Sequence, residues 1–301
     1  MRLPRFRALF ACCLALLSLG AVAAIGCRLP ETSTGRHELT VAVLDVGQAL
    51  AVAVVTSDGH ALLYDAGNSR EDAEQVILPF LRRRGFERLD VVVLSHPDQD
   101  HVGGMPAVLE SVEVDLYVDP VLPSTNRSYM ETLRLVRDRK IRAVRAEPGR
   151  VLELGTAVRV HVLWPARPLL SDPQGEISDN DNSVVLLVEH GAVRVLLPGD
   201  LEDRGETALL AREGAGLRAS VLVVGHHGSR TSSSEPFLRA VQPAVAIVSA
   251  GRDNPYGHPH RETLQRLRRV GAHIYRTDVD GTVVVRSDGQ QFQVLAGEGR
   301  P

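Results

Sequence analysis

"VVVLSHPDQDHVGG", residues 91–104, runs four apolar residues into a segment where six positions, 96–101, hold two histidines and two aspartates. Val91, Val92, Val93 and Leu94 form the kind of run expected of a strand buried on both faces, which predicts a strand over 90–95. The loop beyond Ser95 is therefore held by a rigid element. Pro97 fixes one backbone dihedral, and Gly103 with Gly104 is expected to permit a sharp reversal. Asp, Gln and Pro after an apolar run are also ordinary loop residues. Yet imidazole nitrogens and carboxylate oxygens are metal-ligand types. Four such groups in one turn repel or desolvate one another, a conflict that a cation removes. His96, Asp98, Asp100 and His101 are candidate ligands on that ground.

Two further segments repeat the pattern of a buried strand opening onto polar residues. "VLLPGDLE" (195–202) turns through Pro198 and Gly199 and presents Asp200, a position that a plain turn would also explain. "VVGHHGSRTSSS" (223–234) places His226 and His227 side by side, so one can bind a cation while the other works on substrate. Ser229, Thr231, Ser232 and Ser233 lead into a helix expected near Ser234. Such a helix start with hydroxyls favours an anion, although the same serines suit simple capping. "NPYGHPH" (254–260) carries His258 and His260 just before another expected helix.

These motifs carry a resemblance. The first is similar to the HxHxDH signature of the metallo-β-lactamase superfamily, with Asp98 where the second histidine usually stands. The resulting HxDxDH form resembles the metallo-β-lactamase-like domain of the ComEC family of competence DNA-uptake proteins. "LDVGQALAVAV" (44–54), "LLYDAG" (62–67), "NDNSVVLLVEHGAVRVLLPGDLE" (180–202) and the stretch 223–260 agree with it in the same order. The agreement covers most of residues 39–286.

The resemblance implies an α/β chain with the αββα sandwich of that superfamily over residues 39–297. It implies two divalent cations, manganese or zinc with magnesium also admissible, held by His96, Asp98, Asp100, His101, a bridging Asp200 and a downstream histidine. His226 is taken as that ligand and His227 as the catalytic group, with the order of the pair left open. Asp98 also enters as a catalytic residue, since a carboxylate in place of imidazole hardens the site toward manganese or magnesium. Asn182, Ser229, Thr231, Ser232, His258 and His260 are the expected substrate contacts, His258 and His260 also standing as candidates for a last ligand. No histidine between the first motif and Asp200 is convincingly placed, so Asp179, Asn180 or Asn182 is expected near the cations instead.

Composition bounds the rest. The 301 residues, 44% of them hydrophobic, suffice for one large domain. Arg2, Arg5 and Arg7 precede an uncharged run from Ala8 to Gly26, the pattern of an export signal over residues 1–27. "AIGC" (24–27) resembles a lipobox, making Cys27 the expected lipidation site. Cleavage near "AVA" (21–23) and a retained anchor are the alternatives, the run being long enough to span a bilayer. All three place the body outside the cytoplasm, at the membrane's outer face or in the cell envelope, after a tether at 28–38. Cys12, Cys13 and Cys27 all lie in the leader, so the body offers no thiolate ligand. Without the leader's three arginines, 31 of the 34 basic residues face 37 acidic ones, a net of −6. That excludes a polybasic nucleic-acid sponge. Residues 165–181 form a long connection, of the kind that is functional or mobile.

The expected activity is metal-dependent hydrolysis by a cation-activated water. The expected substrate is a phosphodiester in nucleic acid, DNA ahead of RNA, with the membrane as partner through the N-terminus. The alternatives are a small phosphoester or lactone hydrolase on the same scaffold and a non-catalytic envelope-bound binding module.

Overall fold

The computed structural model describes residues 37–298; the leader, Cys27 and most of the tether lie outside them. Two sheets face one another. The first contains β1 (Leu39–Val43), β2 (Val52–Thr56), β3 (Ala61–Tyr64), β4 (Arg88–Val93), β5 (Glu113–Asp119) and β6 (Arg142–Arg145). The second contains β7 (Val151–Leu154), β8 (Val158–Trp164), β9 (Val185–His190), β10 (Val193–Leu197), β11 (Val221–Val223), β12 (Val245–Val248) and β13 (His273–Arg276). β14 (Thr282–Ser287) and β15 (Phe292–Glu298) return to the first, which runs β15-β14-β1-β2-β3-β4-β5-β6, while the second runs in descending order from β13 to β7.

Alternation along β4 shows why the layers form. Val91 and Val93 point into the core between the sheets, with Leu62 and Tyr64 from β3 and Leu186, Leu197 and Val223 from the second sheet. Val92 and Leu94 point the other way, against Ile77, Phe80, Leu81, Met105 and Leu109 on helices. The second sheet's outer face buries Leu196 and Leu222 under Leu209, Phe237, Leu238 and Leu267. Burying each such side chain contributes roughly 1.5–3 kcal/mol, and a strand apolar on both faces needs a layer against each, here the second sheet on one side and helices on the other. This is the α/β sandwich expected from the sequence.

Each sheet is antiparallel over one part and parallel over the other. β3, β4, β5 and β6 run parallel, as do β10, β11, β12 and β13. Loops that leave the C-terminal ends of parallel strands gather at one edge, and the segments carrying His96 to His101, Asp200, His226 with His227, and His258 with His260 follow β4, β10, β11 and β12.

Several elements go beyond the sequence reading. β5, β7 and the helices Gln99–Val102, Met105–Ser111 and Asp203–Glu213 were not expected there. They are short or weakly patterned: β7 exposes Val151, and the last helix carries Gly205 in its first turn. The connection 165–181 is ordered rather than structureless. A bridge pairs Ser171 with Ile177, and the Asn182 amide ties it down through Leu170 and Ser178.

Candidate metal centre

β3 and β4 are parallel neighbours, so Asp65 and Ser95 emerge side by side. Asp65 is fully buried, with φ at 59°. Its carboxylate accepts from the Ser95 amide and hydroxyl, each at 2.7 Å, and faces His101 Nδ1 at 2.8 Å. The Ser95 hydroxyl has spent its one proton on Asp65, so at 3.0 Å it accepts from His96 Nδ1. One buried carboxylate thus orients two imidazoles. "LLYDAG" was noted in sequence, but Asp65 and Ser95 were not assigned a role. The available signal was an acid just past a second apolar strand.

The glycines act otherwise than expected. Gly103 and Gly104 have ordinary helical backbone, with φ at −58° and −89°. Their requirement is proximity: a Cβ at Gly103 would meet the Asn68 carbonyl oxygen at 1.9 Å, and one at Gly104 the Ala66 oxygen at 2.2 Å. The metal loop lies flat on the strand β3 exit because these two positions have no side chain.

From the second sheet, Asp200 follows Gly199, whose φ is 60°, and its amide is bonded by Ser183 Oγ at 3.2 Å. His226 and His227 follow β11 with φ of 49° and 52°, a left-handed conformation that costs ordinary residues of order 1–2 kcal/mol. His227 is buried, and its Nδ1 donates to the Ser249 carbonyl at 3.0 Å, just past β12.

Asp100, His101, Asp200 and His227 converge, their donor atoms all within 4.8 Å of one another. His101 Nε2 lies 3.2 Å from Asp200 Oδ1, and His227 Nε2 lies 3.2 Å from Asp100 Oδ2. Tetrahedral coordination with bonds of about 2.1 Å separates donors by roughly 3.4 Å. The Nε2 atoms of His96, His101 and His227 and Asp200 Oδ1 are buried without hydrogen-bond partners. With Nδ1–H donating to its partner, each Nε2 presents a lone pair, and lone pairs facing carboxylate oxygens repel unless a cation lies between. The donor set therefore fits a divalent metal ion, with Asp65, Ser95 and Ser249 fixing the imidazoles from behind.

Charge follows the same logic. Burial resists ionisation of Asp200, but His101 and His227 outweigh it and hold the carboxyl well below the usual range. Burial likewise raises Asp100, but the nearby imidazoles of His101 and His227 outweigh it, leaving about 2. Burial resists a charge on His101, yet Asp200, Asp65 and Asp100 lift it well above an ordinary histidine. A proton occupies the cluster wherever a metal does not.

The other sequence candidates fall around this core. His96 is buried against His101, ring centroids 4.2 Å apart, with Nε2 3.5 Å from Asp98 Oδ2. Asp98 precedes the helix Gln99–Val102 and is half exposed. The nearby His96 imidazole keeps the Asp98 carboxyl low. Asp179 is half-buried in the field of Asp98, which, with burial, raises its carboxyl. Asn182 does not face the cluster with a free amide, because its oxygen and nitrogen are engaged by Leu170 and Ser178. The hydroxyls expected to seat an anion are engaged by other groups of the protein. Ser229 and Thr231 bond one another, Thr231 donates to Glu202, and Ser232 donates to the Leu201 carbonyl. Ser234 caps the helix Glu235–Val241.

His226 stands apart from His227. Its side chain is 23% exposed, with Nδ1 3.0 Å from Glu202 Oε1 and Nε2 3.7 Å from Asp200 Oδ2. Glu202 was not singled out from sequence. His258 packs beside His226 and near Gln48, and burial with the neighbouring imidazoles lowers it to about 4. His260 accepts from the Arg230 amide at 3.1 Å and precedes the helix Arg261–Arg269.

Two opposed sheets deliver imidazoles and carboxylates to one edge, and residues 44–252 match the Metallo-beta-lactamase superfamily, to which the chain belongs. Within it, the chain is similar to proteins of the ComEC family. It is 36% identical over 239 residues to ComE operon protein 3 of Bacillus subtilis, covering 77% of this chain and 30% of that protein. Competence protein ComA of Neisseria gonorrhoeae is 36% identical over 247 residues, 82% of this chain and 32% of its own length. Recombination protein 2 of Haemophilus influenzae is 37% identical over 248 residues, 81% and 28%. The chain thus spans about a third of the length of these relatives. Among solved structures, the metallo-β-lactamase fold protein YhfI from Bacillus subtilis superposes with a TM-score of 0.52 at 12% identity, covering 83% of this chain and all of that one. CmlA, a diiron β-hydroxylase from Streptomyces venezuelae, gives 0.53 at 15%, covering 86% and 54%. These two likenesses concern the fold alone. Family and cluster together make metal-dependent hydrolysis the class of chemistry.

Proposed function

We propose that the chain is a phosphodiesterase acting on nucleic acid, DNA in the first instance. The observation that carries this is the donor set: three carboxylates, Asp98, Asp100 and Asp200, beside His96, His101 and His227. Oxygen donors suit manganese or magnesium, and such ions suit phosphate oxygens. Relatives named for competence and recombination support a DNA substrate.

Asp100, His101, Asp200 and His227 would hold one cation and His96 and Asp98, with Asp179 nearby, a second, Asp200 being shared. When bound, such ions lower the pKa of a water and polarise a phosphoryl oxygen. The chain's own residues do the rest. Ligand and catalytic roles within the histidine pair are reversed from the sequence expectation: His227 ligates, and His226, more exposed than His227, carries a proton to the leaving oxygen. Glu202 orients its ring through Nδ1. Purified body loaded with manganese and offered single- and double-stranded DNA, RNA, bis(4-nitrophenyl) phosphate and nitrocefin is the test. Cleavage of DNA is expected. Intact nucleic acid with turnover of the small phosphodiester alone would replace this reading with that of a small-substrate hydrolase.

We further propose that the body works outside the cytoplasm, tethered by lipid on Cys27. Mass spectrometry of the native protein checks this: a cytosolic chain retaining Met1 would defeat export, and an unmodified Cys27 would defeat lipidation.

A further inference from the structure

Tyr256 is 64% exposed, the most open of the exposed large apolar side chains among the described residues. The loop that carries it is braced. Asn254 donates to the carbonyls of Gly251 and His258 and accepts from the His258 amide at 3.0 Å. A rigid tip therefore holds an aromatic ring in water, where the hydrophobic effect alone would fold it away.

The ring is also aligned. Tyr256 stacks on His258 with centroids 5.7 Å apart and planes 26° from parallel. His258 in turn stacks toward His227 at 6.4 Å and 21°. Both spacings lie in the offset-stacking range. Near-parallel rings thus step outward from the metal cluster to solvent, ending in a face with no further neighbour in the series. Arg230, whose amide bonds His260, and Arg252, on the Tyr256 loop, are exposed close by. A flat apolar face beside cationic side chains suits an unpaired nucleobase with its phosphate, since every base has a π-face and stacking tolerates sequence. A base inside a duplex is already stacked and cannot reach such a ring.

We infer that Tyr256 is a stacking platform for an unpaired base of the substrate, so that the site takes single-stranded nucleic acid. This rests on the nucleic-acid reading above. Tyr256 is a substrate-binding residue in this scheme, and His258 its backing.

Binding of a fluorescent single-stranded oligodeoxythymidine to the metal-loaded protein, read by anisotropy, tests it. Tyr256→Ala is expected to weaken binding about tenfold or more, whereas Tyr256→Phe and Tyr256→Trp should hold within about threefold. On an abasic strand of equal length, wild type and Tyr256→Ala should converge, which a merely structural role would not produce. Equal affinities of wild type and Tyr256→Ala for the thymidine strand would overturn the inference, as would an equal loss on blunt duplex. Cleavage followed in the same samples separates the two readings. Cleavage by wild type without Tyr256 dependence defeats the platform alone. Tyr256-dependent binding without cleavage defeats the nuclease reading alone, and neither binding nor cleavage by wild type defeats both.

Discussion

The two loops that meet at the cluster solve one problem in different ways. Ser95–Gly104 leaves the first sheet without positive φ, enters the short helix Gln99–Val102, and is fixed by a buried carboxyl group, Asp65, which holds Ser95 and His101 together. Gly225–Ser233 leaves the second sheet with two successive non-glycine residues at positive φ, and its ligand is fixed by a neutral carbonyl, that of Ser249. The first loop depends on side-chain electrostatics and the second on a strained main chain. Damage to each should therefore look different.

The largest effect is expected where both loops lose their common partner. Asp200→Ala should abolish bound metal and activity together, because Asp200 faces His101, His226 and His227; elemental analysis and turnover check this, and a variant that keeps its full metal content would contradict the shared role. Asp65→Ala comes next. It leaves His101 Nδ1 and the Ser95 amide without their buried partner, costing about 3–5 kcal/mol by comparison with broken buried ion pairs. Metal affinity should also drop some 10–100-fold. Denaturant melts and metal titration read the two losses separately.

The histidine pair sharpens the contrast within the second loop. His227→Ala should lose metal, whereas His226→Ala should keep it and slow turnover by about 10²- to 10⁴-fold, the range for a proton-transfer group. The opposite partition would restore the sequence-based assignment.

A smaller effect concerns what supports the strained loop from below. Glu206 is buried on the helix Asp203–Glu213 and accepts from the amides of Ser233 and Ser234. Burial raises its carboxyl from 4.5 to about 7 despite those bonds. An acid raised on folding contributes stability that is present below its unfolded value and lost as pH rises through the folded one. Between about pH 4.5 and 7 the wild type should lose on the order of 3 kcal/mol relative to Glu206→Gln. Parallel pH-dependent melts with equal slopes would refute it. The smallest expected effect is at Ser233, buried with φ at 56° and an unpartnered hydroxyl. Ser233→Gly should stabilise by no more than about 1 kcal/mol, relief of the left-handed strain outweighing the entropy of glycine. A clear destabilisation in thermal melts would show that the hydroxyl has a use.

The same contrast explains what could be read in the amino-acid string. The first loop was legible because its donors are consecutive and follow a run buried on both faces; periodicity reports burial directly. Asp65, the residue that fixes those donors, was not, since its role depends on β3 lying parallel to β4, and pairing across a sheet leaves no local mark. Residues His226 and His227 were visible as a pair, but which one turns inward is decided by φ values and by Ser249, which follows β12. Hydroxyls at Thr231 and Ser232 looked available only because their partners, Glu202 and Leu201, lie outside the segment. Likewise the Asn182 amide is spent on a loop whose return path was not predicted.

The cluster takes Asp100 and His101 from one sheet and Asp200 and His227 from the other. A bound cation would thus act as a rivet through the sandwich, joining one ligand pair from each sheet. The ligands lie about a hundred residues apart, so the site is assembled only when both sheets have docked. Occupancy then reports the finished fold rather than either half. Chelation should accordingly speed global unfolding more than it alters either sheet's secondary structure, a difference that stopped-flow unfolding with and without chelator can resolve.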